Sequence, residues 1–176
     1  MASELTVQTI KGPTSGGNAN KILVPSGHTL DTSAGTLNYV PSAGQIVQHV
    51  TTDVSSPSTT VVASTSYTDI TGATLNITPK YQNSVMLIMF DVFVFLAAGK
   101  VGYMIITDGS NNSIGGHYAP WVQTSMVDYH IQGHQHHSFN STSQQTIKLR
   151  AKGNDTTNQS WAGGRQLTLT ALEIKQ

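Results

Sequence analysis

The sequence predicts an all-β protein: an extended N-terminal arm followed by an antiparallel β-sandwich with a jelly-roll-like arrangement. Three observations carry this reading. From residue 45 onward, strand-like segments recur at roughly ten-residue intervals with turn residues between them, the pattern of a sandwich or barrel. No stretch shows apolar residues at helical spacing. Composition also shifts near residue 45, since residues 1–44 hold a single aromatic, Tyr39, among many Gly, Ser, Thr, Asn and Pro.

Residues 1–44 therefore read as an extended arm. Its apolar pieces are short: Leu5, Val7 and Ile10, then Ile22-Leu23-Val24, then Leu30, Leu37 and Val40. None can close a core alone. Turn signals such as Ser15-Gly16-Gly17-Asn18 and Pro25-Ser26-Gly27 separate them. The arm is either disordered or ordered against other chains, and the second is expected because the apolar pieces recur and Leu5/Val7 and Leu30-Asp31-Thr32 read as strands.

Residues 45–176 form the sandwich domain. Gln45 to Thr52 alternates, and Thr59 to Val62, Tyr67 to Ile70 and Ala73 to Thr78 follow. Pro79 ends the last of these because it cannot donate to a ladder. Ser84 to Leu96 is the longest candidate, and Val101 to Thr107 returns after the turn Ala97-Ala98-Gly99-Lys100. Ser125 to Phe139, Thr146 to Lys152 and Gln166 to Lys175 complete the set.

Two strands carry further information. One face of Val85 to Phe95 reads Val85, Leu87, Met89, Asp91, Phe93, Phe95, and the other reads Met86, Ile88, Phe90, Val92, Val94. A strand apolar on both faces needs cover on both. The second cover is either a loop or the N-terminal arm or, most simply, another subunit, and we assign Met86, Ile88, Phe90, Val92 and Val94 to that subunit interface. In the final strand, Leu167 and Leu169 share one face while Leu172 and Ile174 share the other. A bulge near Ala171 would reconcile them with one core.

Composition excludes several functions. Nine basic and nine acidic side chains give zero formal net charge. With no cluster of Lys or Arg there is no basic stripe to displace counterions from nucleic acid. Charged residues are 10% of the chain, against about 25% in ordinary domains. Ser and Thr number 41 of 176, so hydration falls to hydroxyls and amides. No apolar run is long enough for a helical membrane span, and the N-terminus has no secretory pattern. Zero cysteines exclude disulfides and thiolate metal sites and fit a protein made in a cytoplasm. No nucleophile elbow, phosphate loop or paired catalytic acids occur, so no enzyme is expected.

Two constellations remain. In His130-Ile131-Gln132-Gly133-His134-Gln135-His136-His137 an extended backbone puts His130, His134 and His136 on one face and His137 on the other. These imidazoles either serve as hydrogen-bonding groups or bind metal. For metal, His134 and His136 from three chains would give six nitrogens around a threefold axis, an octahedral set for a divalent transition metal. Both tryptophans lie in polar, glycine-bearing loops. Tyr118, Trp121, Trp161 and Asn158 either contact a glycan, rings stacking on the sugar and amides reading its hydroxyls, or plug the end of the sandwich.

The stretch Ala19-Asn20-Lys21-Ile22-Leu23-Val24-Pro25-Ser26-Gly27-His28-Thr29-Leu30-Asp31 resembles the N-terminal part of fibre proteins from phages of marine and freshwater bacteria. So does Pro41-Ser42-Ala43-Gly44-Gln45-Ile46-Val47-Gln48. Ser66-Tyr67-Thr68-Asp69-Ile70-Thr71-Gly72-Ala73-Thr74-Leu75-Asn76-Ile77-Thr78-Pro79 is similar to the opening of the globular domain in such fibres. The resemblance implies a virion protein: a homotrimeric tail or neck fibre held to other virion proteins through residues 1–44. Its sandwich would meet a host-surface glycan or receptor. A capsid or neck decoration protein without a receptor, and a carbohydrate-binding module, are the alternatives.

Overall fold

The computed structural model describes residues 10–17, 22–29, 40–54, 60–118, 127–157, 159–161 and 166–176. The expected strands at Leu5/Val7 and Leu30–Thr32 lie outside these. The chain divides into two units, residues 1–40 and 41–176, four residues earlier than composition placed the boundary. Pro41 to Gly44 are tied to the sandwich: Lys175 Nζ donates to the Pro41 carbonyl at 2.6 Å and Gly44 N to the Lys175 carbonyl at 2.7 Å. In the first unit, His28 N donates to the Pro25 carbonyl at 3.1 Å, closing a turn in which Gly27 takes φ 82°. That left-handed conformation is open to glycine without strain.

The second unit is all-β. Its described strands are β1 (Ile46–Val54), β2 (Thr60–Val62), β3 (Thr68–Ile77), β4 (Val85–Leu96), β5 (Gly102–Asp108), β6 (Ser113–Tyr118), β7 (Val127–His137), β8 (Gln145–Gly153), β9 (Gln159–Trp161) and β10 (Leu167–Ile174). Two antiparallel sheets pack face to face. One has the order β1-β10-β4-β9-β2 with β7 on the other side of β4, and the second has the order β3-β8-β5-β6. Setting aside the three-residue β2 and β9, the sheets are β1-β10-β4-β7 and β3-β8-β5-β6, and the chain crosses between them at every step except β5 to β6, as in a jelly roll. Among the described residues no helix is long and apolar enough to cross a membrane.

The core is the space between the sheets. β4 contributes Met86, Ile88, Phe90, Val92 and Val94, all 0–3% exposed, against Leu75, Ile77, Met104, Ile106, Ile147 and Leu149 of the second sheet. This corrects the interface assignment: these five side chains fill the protein's own core. The reason was present in the sequence. Asp91 belongs to the alternate row, and an ionised carboxylate is too costly to bury against apolar neighbours.

Three local expectations also change. β10 alternates without interruption, with Leu167, Leu169, Ala171 and Glu173 inward, and its ladder to β4 runs unbroken from Leu167↔Val92 to Ile174↔Val85. There is no bulge at Ala171. The irregularity is in β1 instead, between Ile46 and Gln48. The two segments expected at 67–70 and 73–78 form the single strand β3, whose register to β8 shifts between Asp69 and Thr74 around Gly72 at φ 82°. Finally, Ser113–Tyr118, read as loop, is the edge strand β6. It returns from β5 through a turn closed by Asn111 N to the Asp108 carbonyl (3.1 Å), with Asn111 at φ 70°.

Candidate functional site: the outer face of the six-stranded sheet

Alternation on β4 turns Val85, Leu87, Met89, Asp91, Phe93 and Phe95 away from the core. The ladders place partners beside them. Toward β7, Leu87 lies opposite His136, Met89 opposite His134, Asp91 opposite Gln132 and Phe93 opposite His130. Toward β10, Leu87 lies opposite Leu172, Met89 opposite Thr170 and Asp91 opposite Thr168. An aliphatic floor is thereby flanked by imidazoles on one side and hydroxyls on the other. Together they line a groove of about 580 Å³ that includes Leu87, Met89, Asp91, His134, His136 and Thr170.

Hydrogen bonds fix the rim. Gln132 Nε2 donates to Asp91 Oδ2 at 2.7 Å, and His130 Nδ1 stands 3.3 Å from Asp91 Oδ1. The His130 ring also meets Phe93 edge-on, with centroids 5.3 Å apart. Across the groove the hydroxyls of Thr51 and Thr170 are 2.9 Å apart. Asp91 is thus held by its neighbours, while Leu87 and Met89 remain half-buried on an outward face.

The expected split of the histidines is observed. His130, His134 and His136 are exposed on this face. His137 points the other way and packs edge-on against Phe139 at 4.6 Å. Burial lowers the His137 pKa below its ordinary value, partly offset by the charge of Asp108. The His134 and His136 rings are 6.5 Å apart and tilted by 54°. Among the described residues of one chain, no group of three or more His, Cys, Asp or Glu stands ready to hold a metal.

Of the glycan candidates only two backbone positions are described. The Tyr118 backbone ends β6 opposite Met104, and that of Trp161 lies in β9 opposite Thr60 and Val94. Their side chains, with Trp121 and Asn158 entirely, lie outside the described residues. Sequence reasoning missed Leu87 and Met89 as the exposed apolar pair, although Asp91 in the same row was the signal for it.

No family model and no curated protein matches the chain. Among solved structures it is similar to the VP2 subviral particle of infectious bursal disease virus, with a TM-score of 0.49 and 14% identity over 93% of this chain and 41% of that one. It is also similar to the Gx strain of infectious bursal disease virus, with a TM-score of 0.41 and 12% identity over 86% of this chain and 44% of that one. The chain spans less than half the length of either.

Proposed function

We propose that this chain is a structural, non-enzymatic virion protein: a homotrimeric bacteriophage fibre of the tail or neck. Residues 1–44 attach it to other virion proteins, and the sandwich faces the host surface. The observation that carries the reading is the outward row of β4. Its core-facing row already fills the sandwich, yet Leu87 and Met89 floor a groove on the opposite face. Burying apolar side chains against a second copy contributes about 25 cal/mol per Å² of apolar surface removed from water. A closed symmetric assembly satisfies such a face on every chain at once. Threefold symmetry and the phage setting follow from the resemblance of the arm and of Ser66–Pro79 to fibre sequences. The hydroxyl-rich, weakly charged surface suits a particle that should not adsorb indiscriminately.

Deletion of the gene tests the role. A fibre predicts intact particles that fail to adsorb, whereas particles that adsorb but fall apart would favour the decoration protein. In the trimer, His134 and His136 from three chains would offer six imidazoles to a divalent transition metal. Elemental analysis of the purified assembly decides this, and absence of stoichiometric iron, zinc or nickel ends it.

A further inference from the structure

We infer that the outer face of the four-stranded sheet is a binding site for an acidic glycan, centred on Lys152 between Tyr67 and Tyr103. The inference deepens the host-recognition part of the proposed function and rests on it. This face lies on the opposite side of the sandwich from the groove.

The chain has nine basic residues, and three of them, Lys148, Arg150 and Lys152, occupy alternate positions of β8. β8 runs between β3 and β5, so the stripe crosses the interior of the face rather than its margin. Alternation on β8 thus gathers three cations on one face, which corrects the expectation that the chain holds no cluster of Lys or Arg. Asp69 is the carboxylate of both ion pairs in the stripe, at 3.1 Å from Lys148 Nζ and 2.6 Å from Arg150 Nε. Two cations share one carboxylate, and the third is held by rings. Lys152 Nζ stands 4.9 Å from the Tyr67 ring centroid and 5.3 Å from that of Tyr103.

That arrangement is preorganised. Tyr103 and Lys152 are register partners across β5 and β8, and Arg150 donates to the Tyr67 carbonyl at 2.7 Å, fixing the backbone that carries the first ring. Burial and the neighbouring Tyr103 raise the pKa of the Tyr67 hydroxyl above its ordinary value. An ammonium already held between two rings has less rotamer freedom to lose on binding. A carboxylate or sulfate on a sugar gives it an anionic acceptor, and phenol rings offer apolar faces to the sugar ring.

The test uses the full chain and immobilised polygalacturonate and dextran sulfate, with neutral dextran as reference, in about 0.15 M salt. The wild type should bind at least one acidic polymer and not dextran. Lys152→Gln should weaken that binding about tenfold or more, the order expected for a lost hydrogen bond to a charged group. Lys152→Arg should retain most of it, and Lys11→Gln, which removes the same charge from the arm, should leave it unchanged. No binding by the wild type, or equal losses in Lys152→Gln and Lys11→Gln, would overturn the site. So would equal affinity for a single-stranded oligonucleotide, which would reduce the effect to charge alone. Light scattering of the same samples reads the assembly separately, so a trimer without glycan binding removes this site and leaves the structural role standing.

Discussion

Ser84 donates its hydroxyl to Glu173 at 2.7 Å inside the sandwich. Glu173 is fully buried at an inward position of β10, opposite Met86. Its carboxylate also accepts the backbone N–H groups of Lys80 and Tyr81, each at 2.9 Å. The turn after Pro79 thus closes over a core carboxylate and supplies its donors. Glu173→Gln replaces one acceptor oxygen by an NH₂ that faces these N–H groups. It should lower the unfolding free energy by about 1–3 kcal/mol, the cost of leaving buried donors unmatched. Denaturant unfolding measures this, and wild-type stability in the variant would refute the assignment.

The two rows of β4 should respond oppositely to substitution. Ile88→Ala opens a cavity in the core and should cost about 2–5 kcal/mol. Leu87→Asp on the outward row should leave the unfolding of the separated chain within about 0.5 kcal/mol, as for a surface position, while abolishing assembly. Unfolding and solution mass measured on both variants separate the two effects.

Gly115 and Gln135 join the edges of the two sheets. A Cβ on Gly115 would lie 2.1 Å from Gln135 Cγ, so any larger residue must displace that side chain. Displacement also sacrifices the bond from Gln135 Nε2 to the His136 carbonyl at 2.8 Å. Gly115→Ala should destabilise by about 1–3 kcal/mol, the range of overpacking. Adding Gln135→Ala should recover part of the loss. A double-mutant cycle with no coupling between the positions would contradict this contact.

Acid should weaken the fold through depressed carboxyls, Asp155 and Asp69 among them. Lys100, with Thr157, holds the Asp155 pKa down to about 2. Partial burial pushes the Asp69 carboxyl up, but hydrogen bonds and charge from Lys148 and Arg150 outweigh it and keep it below its ordinary value. A folded pKa below the unfolded one means that the unfolded chain binds the proton first. Both contributions are therefore complete above about pH 4 and are lost as pH falls toward the folded values. In denaturant titrations between neutral and strongly acidic pH, Asp69→Asn and Asp155→Asn should each flatten the acid limb.

Most of the architecture was legible because strands announce themselves by period and turn residues. The long strand, the Ala97–Lys100 turn and the split of His130, His134 and His136 from His137 all follow from alternation. What misled was polarity at core-facing positions. Glu173 continues the inward row of β10, but its charge made Leu172 and Ile174 look like the core pair and suggested a bulge. The donors that make its burial tolerable come from residues 80–84, about ninety positions away, and no local pattern announces them. On β4 the reverse occurred, since two apolar rows looked equivalent and only Asp91 told them apart. β6 went unread because Gly115 and Gly116 weaken a strand pattern. There the missing side chain makes room for Gln135.

On the proposed reading, further copies of the same chain cover the outward row of β4. Light scattering on the purified chain, beside Leu87→Asp, should then give three times the 18.8 kDa of one chain for the wild type and a single-chain mass for the variant. A wild-type mass of one chain, or a trimer untouched by Leu87→Asp, would contradict it.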